Sequence, residues 1–253
     1  MRNLSVIILL FPLLLSSCRN SRNLELSEIN GKQLNISDSI PADSSITNFI
    51  TPYKEHIDRE MNAVLAYTPY NLQKTDGELN TAIGNMMADA VMELASPVFE
   101  ERTGKSIDAV LLNHGGIRSS VNKGEITTRT AFQVMPFENE VVVAEMKGTH
   151  INEMITYLLD AGTAHPVAGL ELEIDSENKI RKVLIQGEPI VKEKSYYVAT
   201  NDYLYNGGDN MVFFSRAVSV TSLDYKIRNL LIDYFREKDT IAPARDQRFI
   251  RIK

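Results

Sequence analysis

The chain carries, at positions 111–118, the stretch Leu-Leu-Asn-His-Gly-Gly-Ile-Arg, from which its fold and function are predicted. The apolar run Ala109 to Leu112 ends in this loop, and short apolar runs bounded by turn residues are typical of buried strands. Paired glycines at a strand end let a ligand approach the backbone closely. Arg118 adds a planar fork of donors that suits an oxyanion or a ring edge. Alone, the stretch predicts either a binding loop or a tight turn with a surface arginine.

Two later stretches favour the binding loop. Positions 135–139 are Met-Pro-Phe-Glu-Asn, and positions 200–209 are Thr-Asn-Asp-Tyr-Leu-Tyr-Asn-Gly-Gly-Asp. In this order and at these separations, the three stretches resemble the C-terminal domain of the 5'-nucleotidase family. The family's pattern runs Asn-Gly-Gly-Gly-Ile-Arg, then Pro-Phe-Gly-Asn, then an aromatic residue six positions before the aspartate of Gly-Gly-Asp. The resemblance covers residues 45 to 253.

The resemblance implies a nucleoside site built from all three stretches. The family clamps a base between two aromatic rings, and those positions fall on Phe137 and on Tyr203, where many members have Phe. Stacking on an aromatic ring is worth roughly 1–3 kcal/mol per base. Asp209 matches the aspartate that accepts bonds from ribose hydroxyls, Asn113 the asparagine that contacts the base, and Arg118 the arginine that holds the phosphate. The other predicted substrate-binding residues are Gly115, Gly116, Asn139, Gly207 and Gly208, the last two keeping side chains away from the sugar.

Each of these roles has a structural alternative that the residues alone leave open. Phe137 and Tyr203 could be core aromatics, because most of the chain's Phe and Tyr residues must be. Asp209 could be a turn aspartate that follows two glycines.

The chain departs from the family pattern at two places. His114 replaces the usual glycine of the first stretch, and its side chain is expected either to contact ligand or to face solvent. Members generally carry a second phosphate-holding arginine about seven residues before the Gly-Asn of a long helix. Counting back from Gly84 gives Gly77, and Lys74 is the nearest cation. Without this second arginine, weaker binding of phosphate is expected, unless Arg129 lies close enough in the folded chain to take its place.

The periodicity of apolar residues predicts an α+β fold. Helical spacing occurs at 81–101, with Asn80 as a candidate cap, and at 149–161 and 222–238. Strands are predicted at 140–146, 170–174, 180–185 and 195–200, the middle two as a hairpin. The resemblance implies mixed sheets in a four-layer α/β/β/α arrangement.

The N-terminus predicts export and lipid attachment. Residues 1–17 hold an apolar run too short to span a membrane as a helix, which indicates a signal peptide. Its end, Leu-Ser-Ser-Cys, resembles a bacterial lipobox, so Cys18 is the predicted lipidation site; the alternative is an ordinary signal peptide with a chance cysteine. Residues 18–45 are the predicted tether and 46–253 the domain. This organisation predicts a lipid-anchored protein of the cell envelope, on the periplasmic side or at the outer membrane.

The composition limits the class of partner. The chain has 253 residues, 43% of them hydrophobic, which is ample for one sizeable core. Its formal net charge of −6 argues against polymeric nucleic acid, although not against one small anion held by a local arginine.

The sequence lacks recognisable catalytic motifs, which limits the functions that the chain could have by itself. A complete 5'-nucleotidase adds a metallophosphatase domain whose two metals clamp the displaced phosphate. The four histidines, His56, His114, His150 and His165, lie in none of its ligand motifs, and no other catalytic motif is evident. We therefore predict no metal site, no cofactor and no phosphatase activity in the isolated chain. We therefore hypothesise that this chain binds a nucleoside or nucleoside 5'-monophosphate, while a separate metallophosphatase chain supplies the divalent metals. One alternative is a non-catalytic lipoprotein that binds nucleosides or interacts with other proteins. Another alternative is a purely structural protein of the cell envelope.

Overall fold

A computed structural model of the protein describes residues 26–252. The chain divides into a unit of residues 1–49 and a unit of residues 50–253. The predicted signal peptide and the lipidation site Cys18 lie outside the described residues. Within the first unit, residues 26–43 of the predicted tether form no helix or strand. None of the helices in the described residues is long and apolar enough to cross a membrane.

The described residues form six α-helices, eleven strands and three short 3₁₀ turns. The helices are α1 (Ser44–Met61), α2 (Ala82–Thr103), α3 (Thr128–Val134), α4 (Gly148–Ala161), α5 (Asp202–Tyr205) and α6 (Ile227–Glu237). The strands are β1 (Val64–Thr68), β2 (Ala109–Leu111), β3 (Gly124–Thr127), β4 (Glu140–Lys147), β5 (Val167–Ala168), β6 (Leu170–Ile174), β7 (Ile180–Ile185), β8 (Glu188–Pro189), β9 (Ser195–Asn201), β10 (Ser219–Lys226) and β11 (Phe249–Arg251). The 3₁₀ turns are His114–Gly116, Gly208–Asn210 and Val212–Arg216.

The strands are arranged in three sheets, two of which are mixed. A five-stranded sheet has the order β10-β4-β9-β2-β5, in which β2 and β9 are parallel and the other neighbours are antiparallel. A four-stranded sheet has the order β11-β6-β7-β8, with β11 parallel to β6. Strands β1 and β3 form a separate antiparallel pair. The predicted α+β class with mixed sheets is confirmed.

The five-stranded sheet buries both of its faces, because alternate side chains of a strand point to opposite sides. In β4, Val141 and Val143 enter one core, while Ala144 and Met146 enter the other. Helices α2 and α6 supply nearly half of the residues of the first core. Helix α4 and the four-stranded sheet contribute to the second. Helices α2 and α6 thus cover one face of the five-stranded sheet. The four-stranded sheet and helix α4 share the core on its other face.

The topology brings the three predicted binding stretches to one edge of the five-stranded sheet. Strands β2 and β9 are parallel, so the loops that follow them leave at the same edge. Strand β4 runs antiparallel to β9, with Val141 opposite Asn201, so the loop that precedes β4 lies at that edge too. The loops at 112–118, 135–139 and 202–209 are therefore neighbours in space although they are far apart in the chain.

Helix α2 begins as predicted but has a different cap. The backbone N–H of Gly84 donates to the hydroxyl of Thr81 at 3.1 Å, so Thr81 caps the helix, and the prediction of Asn80 is wrong. The amide of Asn80 instead donates to the backbone carbonyls of Asp246 and Phe249, at 3.1 and 2.8 Å. A buried amide that ties the helix start to the C-terminal strand is unavailable as a cap.

The helix predicted at 222–238 begins at Ile227, because residues 219–226 form strand β10. Leu223 and Ile227 lie at helical spacing and both enter the first core, which extended the apparent helix backwards. The strand forms because the edge of β4 offers unpaired backbone groups, and Ser219 to Ser222 pair with them. The other predicted elements agree with the structure within two residues.

We expect Thr81→Ala to lower the free energy of unfolding by about 1 kcal/mol, the usual cost of removing a capping hydroxyl. Urea denaturation of the two proteins measures the difference. Thr81→Ser is the matched control, because it keeps the hydroxyl and should retain most of the stability. Equal losses in both variants would contradict the capping role.

Candidate functional site

A cleft of about 580 Å³ opens where the three loops meet at the sheet edge. Eight of the ten predicted binding residues line it: Asn113, Gly115, Gly116, Arg118, Phe137, Asn139, Tyr203 and Asp209. Met135, Glu138 and Asp202, which were not predicted, line it as well. Gly207 and Gly208 do not. The structure thus brings together side chains from three distant parts of the chain around one cavity of a size typical for small-molecule sites.

The two aromatic rings of the predicted clamp are exposed in the cleft. Phe137 is 41% and Tyr203 47% accessible to solvent, so neither ring is a core residue. The guanidinium of Arg118 lies 5.8 Å from the centre of the Phe137 ring. Exposed ring faces at the wall of a cavity are available for stacking with a flat ligand.

The carboxylate of Asp209 is held by two side chains of the cleft. The hydroxyl of Tyr203 donates to Asp209 Oδ1 at 2.8 Å, and the amide Nδ2 of Asn113 donates to Asp209 Oδ2 at 2.7 Å. The hydrogen bond to Asp209 raises the pKa of the Tyr203 hydroxyl above its ordinary value. Each carboxylate oxygen accepts one protein donor and retains capacity for another.

The backbone of the third stretch adopts unusual conformations around Asp209. Gly207, Asp209 and Asn210 have φ values of +89°, +51° and +61°, in the left-handed region that favours Gly, Asn and Asp. Tyr157 steadies the turn by donating from its hydroxyl to the backbone carbonyl of Asp209 at 2.8 Å. A Cβ at Gly208 would lie 2.5 Å from the ring of Tyr203, so this glycine makes room for the ring.

Asn113 lines the cleft and also donates a hydrogen bond within the protein. It is 8% exposed, and its Oδ1 would lie 2.8 Å from a Cβ at Gly116. The glycine therefore lets the Asn113 side chain fold over the 3₁₀ turn towards Asp209. One of the two amide hydrogens is engaged by Asp209, which leaves the other hydrogen and the oxygen as groups for a ligand.

A buried arginine that sequence reasoning missed anchors the loop of Phe137. Arg228, 7% exposed in its side chain, donates from Nη1 to the carbonyls of Pro136 and Phe137 at 3.2 and 3.4 Å. Its Nη2 pairs with the carboxylate of Glu138, and its guanidinium lies 4.2 Å from the centre of the Phe132 ring. No sequence signal marks this arginine, because it stands among the apolar residues of α6.

Asp202 joins the second stretch to the third. Its Oδ1 accepts from the side-chain amide of Asn139 at 2.9 Å, and from the backbone N–H groups of Tyr203 and Glu140 at 2.9 and 3.2 Å. Asn139 was predicted to bind substrate, and its amide Nδ2 is engaged by Asp202. The pair holds the two loops that carry the aromatic rings against each other.

The cations predicted for the phosphate end are only partly in place. Among the described residues that line the cleft, Arg118 is the one cation. Lys74 donates to the backbone carbonyl of Ile117 at 3.1 Å. Arg129 pairs with Asp58 and with Asn62, at 3.4 and 3.2 Å, and does not line the cleft. The suggestion that Arg129 replaces the missing arginine is wrong, because its donors serve helix α1 and the turn after it.

His114 is half-buried and does not line the cleft. Its ring Nδ1 hydrogen-bonds to the carbonyl of Ala164 at 3.2 Å, and its backbone N–H donates to Nδ1 of His165 at 3.3 Å. Burial lowers the pKa of His165, which favours the neutral ring that can accept this bond. Both histidines thus support the first loop from behind.

Comparison with known proteins agrees with this geometry. The model of the family described as "5'-nucleotidase, C-terminal domain" matches residues 64–216, which are more than half of the chain. The chain belongs to the 5'-nucleotidase C-terminal domain family. A cell wall protein of Listeria monocytogenes, Lmo0130, is 31% identical over 68% of this chain and 22% of that protein. A 5'-nucleotidase of Vibrio vulnificus is 27% identical over 72% of this chain and 32% of that protein.

A solved structure of the family has the same fold. The 5'-nucleotidase precursor of Thermus thermophilus aligns with a TM-score of 0.68 at 23% identity, over 84% of this chain and 44% of that one. The chain thus spans between a fifth and a half of the length of these relatives. Within residues 26–252, no group of three or more His, Cys, Asp or Glu side chains is arranged so that it could hold a metal ion.

The ion pairs of Glu138 predict that its carboxylate stays ionised at a lower pH than an ordinary glutamate does. Hydrogen bonds from Lys226 and then Arg228 lower the pKa of Glu138 from 4.5 to about 2. A pKa lower in the folded than in the unfolded state stabilises the fold above pH 4.5, and this contribution is lost as the pH falls towards 2. We expect NMR titration to find Glu138 still ionised at pH 3.

Lys226→Met should raise the pKa of Glu138 towards 4.5, because it removes the largest cause of the shift. Lys179→Met removes a lysine of similar kind, which pairs with Glu177 on the hairpin between β6 and β7, and should leave Glu138 unchanged. A midpoint near pH 4.5 in the unmodified protein would show that the ion pair does not form in solution.

Proposed function

We propose that the chain is the substrate-binding component of a 5'-nucleotidase-type hydrolase, with a nucleoside or nucleoside 5'-monophosphate as its ligand. The base lies between the rings of Phe137 and Tyr203, and the ribose hydroxyls bond to Asp209. The observation that carries the proposal is the convergence of two exposed aromatic rings and one carboxylate in a single cleft. Stacking suits the flat faces of any base, and a carboxylate suits a diol.

The phosphate of a bound nucleotide is placed at Arg118 in this proposal. Arg118 is exposed at the wall of the cleft, and its guanidinium can donate two parallel hydrogen bonds to the oxygens of a phosphate. A single arginine offers a weaker hold than two, so base and ribose contribute most of the affinity. Nucleoside and nucleotide are therefore expected to bind with similar strength.

Hydrolysis requires a partner in this proposal, because the described residues lack a group that could hold two metals. Relatives that are named 5'-nucleotidases extend well beyond the matched region, which leaves room for a catalytic domain in them. We place the metals on a separate metallophosphatase chain that faces the cleft. The lipobox-like residues up to Cys18, together with the similarity to a Listeria cell wall protein, support a lipid-anchored location at the cell envelope.

Reconstitution tests the proposal. The full chain is mixed with a metallophosphatase chain from the same organism, and release of phosphate from AMP is followed with and without EDTA. We expect metal-dependent hydrolysis that neither chain shows alone. Phe137→Ala should raise KM about fivefold or more, because a stacking ring contributes roughly 1–3 kcal/mol.

Tyr70→Ala is the matched control, because Tyr70 is an aromatic residue of the same exposure, 40%, outside the cleft. Unchanged KM in Phe137→Ala would show that the clamp is assigned to the wrong residues.

A non-catalytic nucleoside-binding lipoprotein is the second candidate, and the single cation of the cleft favours it. In that case adenosine binds with dependence on Phe137, but no metallophosphatase chain gains activity from the mixture.

A further inference from the structure

The hydroxyl of Tyr203 makes two bonds to one residue. It donates to the carboxylate of Asp209 at 2.8 Å and accepts from the backbone N–H of Asp209 at 3.3 Å. A group that bridges the backbone and the side chain of the same residue restricts the side-chain torsion between them. The ring of Tyr203 and the carboxylate of Asp209 therefore form one hydrogen-bonded unit.

The bond from Asn113 completes the orientation of the carboxylate. Because Tyr203 binds Oδ1 and Asn113 binds Oδ2, the two protein donors occupy one acceptor position on each oxygen. One further acceptor position remains on each oxygen. Two acceptor positions on adjacent oxygens of one carboxylate match two hydroxyls on adjacent carbons.

The backbone is built to keep this unit in place. Gly208 lies against the ring of Tyr203, where any side chain would overlap with ring atoms. Asp209 itself has φ +51°, a conformation that Asp and Asn tolerate better than most residues. A phenylalanine at position 203 would keep the stacking face but lose both bonds to Asp209.

We propose that the hydroxyl of Tyr203 orients the carboxylate of Asp209 and thereby makes the cleft selective for ligands with a vicinal diol, such as an unmodified ribose. The inference rests on the proposed nucleoside site and adds a specificity-determining role for one atom of it. The ring of Tyr203 contacts the base, while its hydroxyl is a positioning group that acts on the sugar through Asp209.

Tyr203→Phe tests the role of the hydroxyl. Equilibrium dialysis of the full chain measures the affinities for adenosine and for 2',3'-dideoxyadenosine, which keeps the base and lacks the diol. We expect adenosine to bind about five- to tenfold more weakly to the variant, since a bond that orients a charged group is lost. The affinity for dideoxyadenosine should stay unchanged, because the ring still stacks.

Two further variants make the test specific. In an Asp209→Asn background, Tyr203→Phe should no longer change the ratio of the two affinities, because the oriented carboxylate is absent. Tyr70→Phe removes a hydroxyl that donates to the carbonyl of Pro243 outside the cleft, and should change neither affinity.

The outcomes separate the inference from the proposed function. If Tyr203→Phe weakens both ligands equally, or leaves adenosine unchanged, the inference is overturned while the nucleoside site stands. If the unmodified chain binds neither ligand, the proposed function fails and the inference fails with it.

Discussion

The pairing of β9 with its two neighbours in the five-stranded sheet is the constraint on which the site depends. Parallel pairing with β2 and antiparallel pairing with β4 bring three loops to one edge. A slip of one residue in either pairing would turn the side chains of β9 to the wrong core. Tyr196 and Val198 face one core and Ala199 the other, so packing on both sides holds the register.

Polar contacts then convert this common edge into a shaped cleft. Arg228 fastens the loop of Phe137, Asp202 ties that loop to the loop of Tyr203, and Asn113 reaches across to Asp209. These contacts join residues between 63 and 96 positions apart in the chain. The two packed cores therefore hold the strand register, and the strand register places the loops. Polar contacts then fix the loops and the groups that would face a ligand.

Much of the cleft could be predicted because its groups come from short stretches with a recognisable order. Phe137, Tyr203 and Asp209 are such groups, and the structure places all three in one cavity. Arg228 could not be predicted, since its burial results from a loop 91 residues away. Asp202 could not be predicted either, because its three partners meet only after β4 and β9 pair.

The errors in the predicted fold have similar physical causes. The sequence pattern predicts a helix over the residues of strand β10, because Leu223 and Ile227 enter the same core at helical spacing. The edge of β4, which decides the matter, lies more than 70 residues earlier in the chain. The local sequence predicts a cap at Asn80, because it does not reveal the hydrogen bond that this side chain donates to the carbonyl of Phe249.

The proposed clamp places a base between the rings of Phe137 and Tyr203. Intermolecular NOE measurements between adenosine and the protein test it most directly, because they report distances from base protons to ring protons. If the base lies between the rings, we expect NOEs from adenine H2 and H8 to both rings, together with contacts from ribose protons near Asp209. NOEs to neither ring, in a protein that binds adenosine, would contradict it.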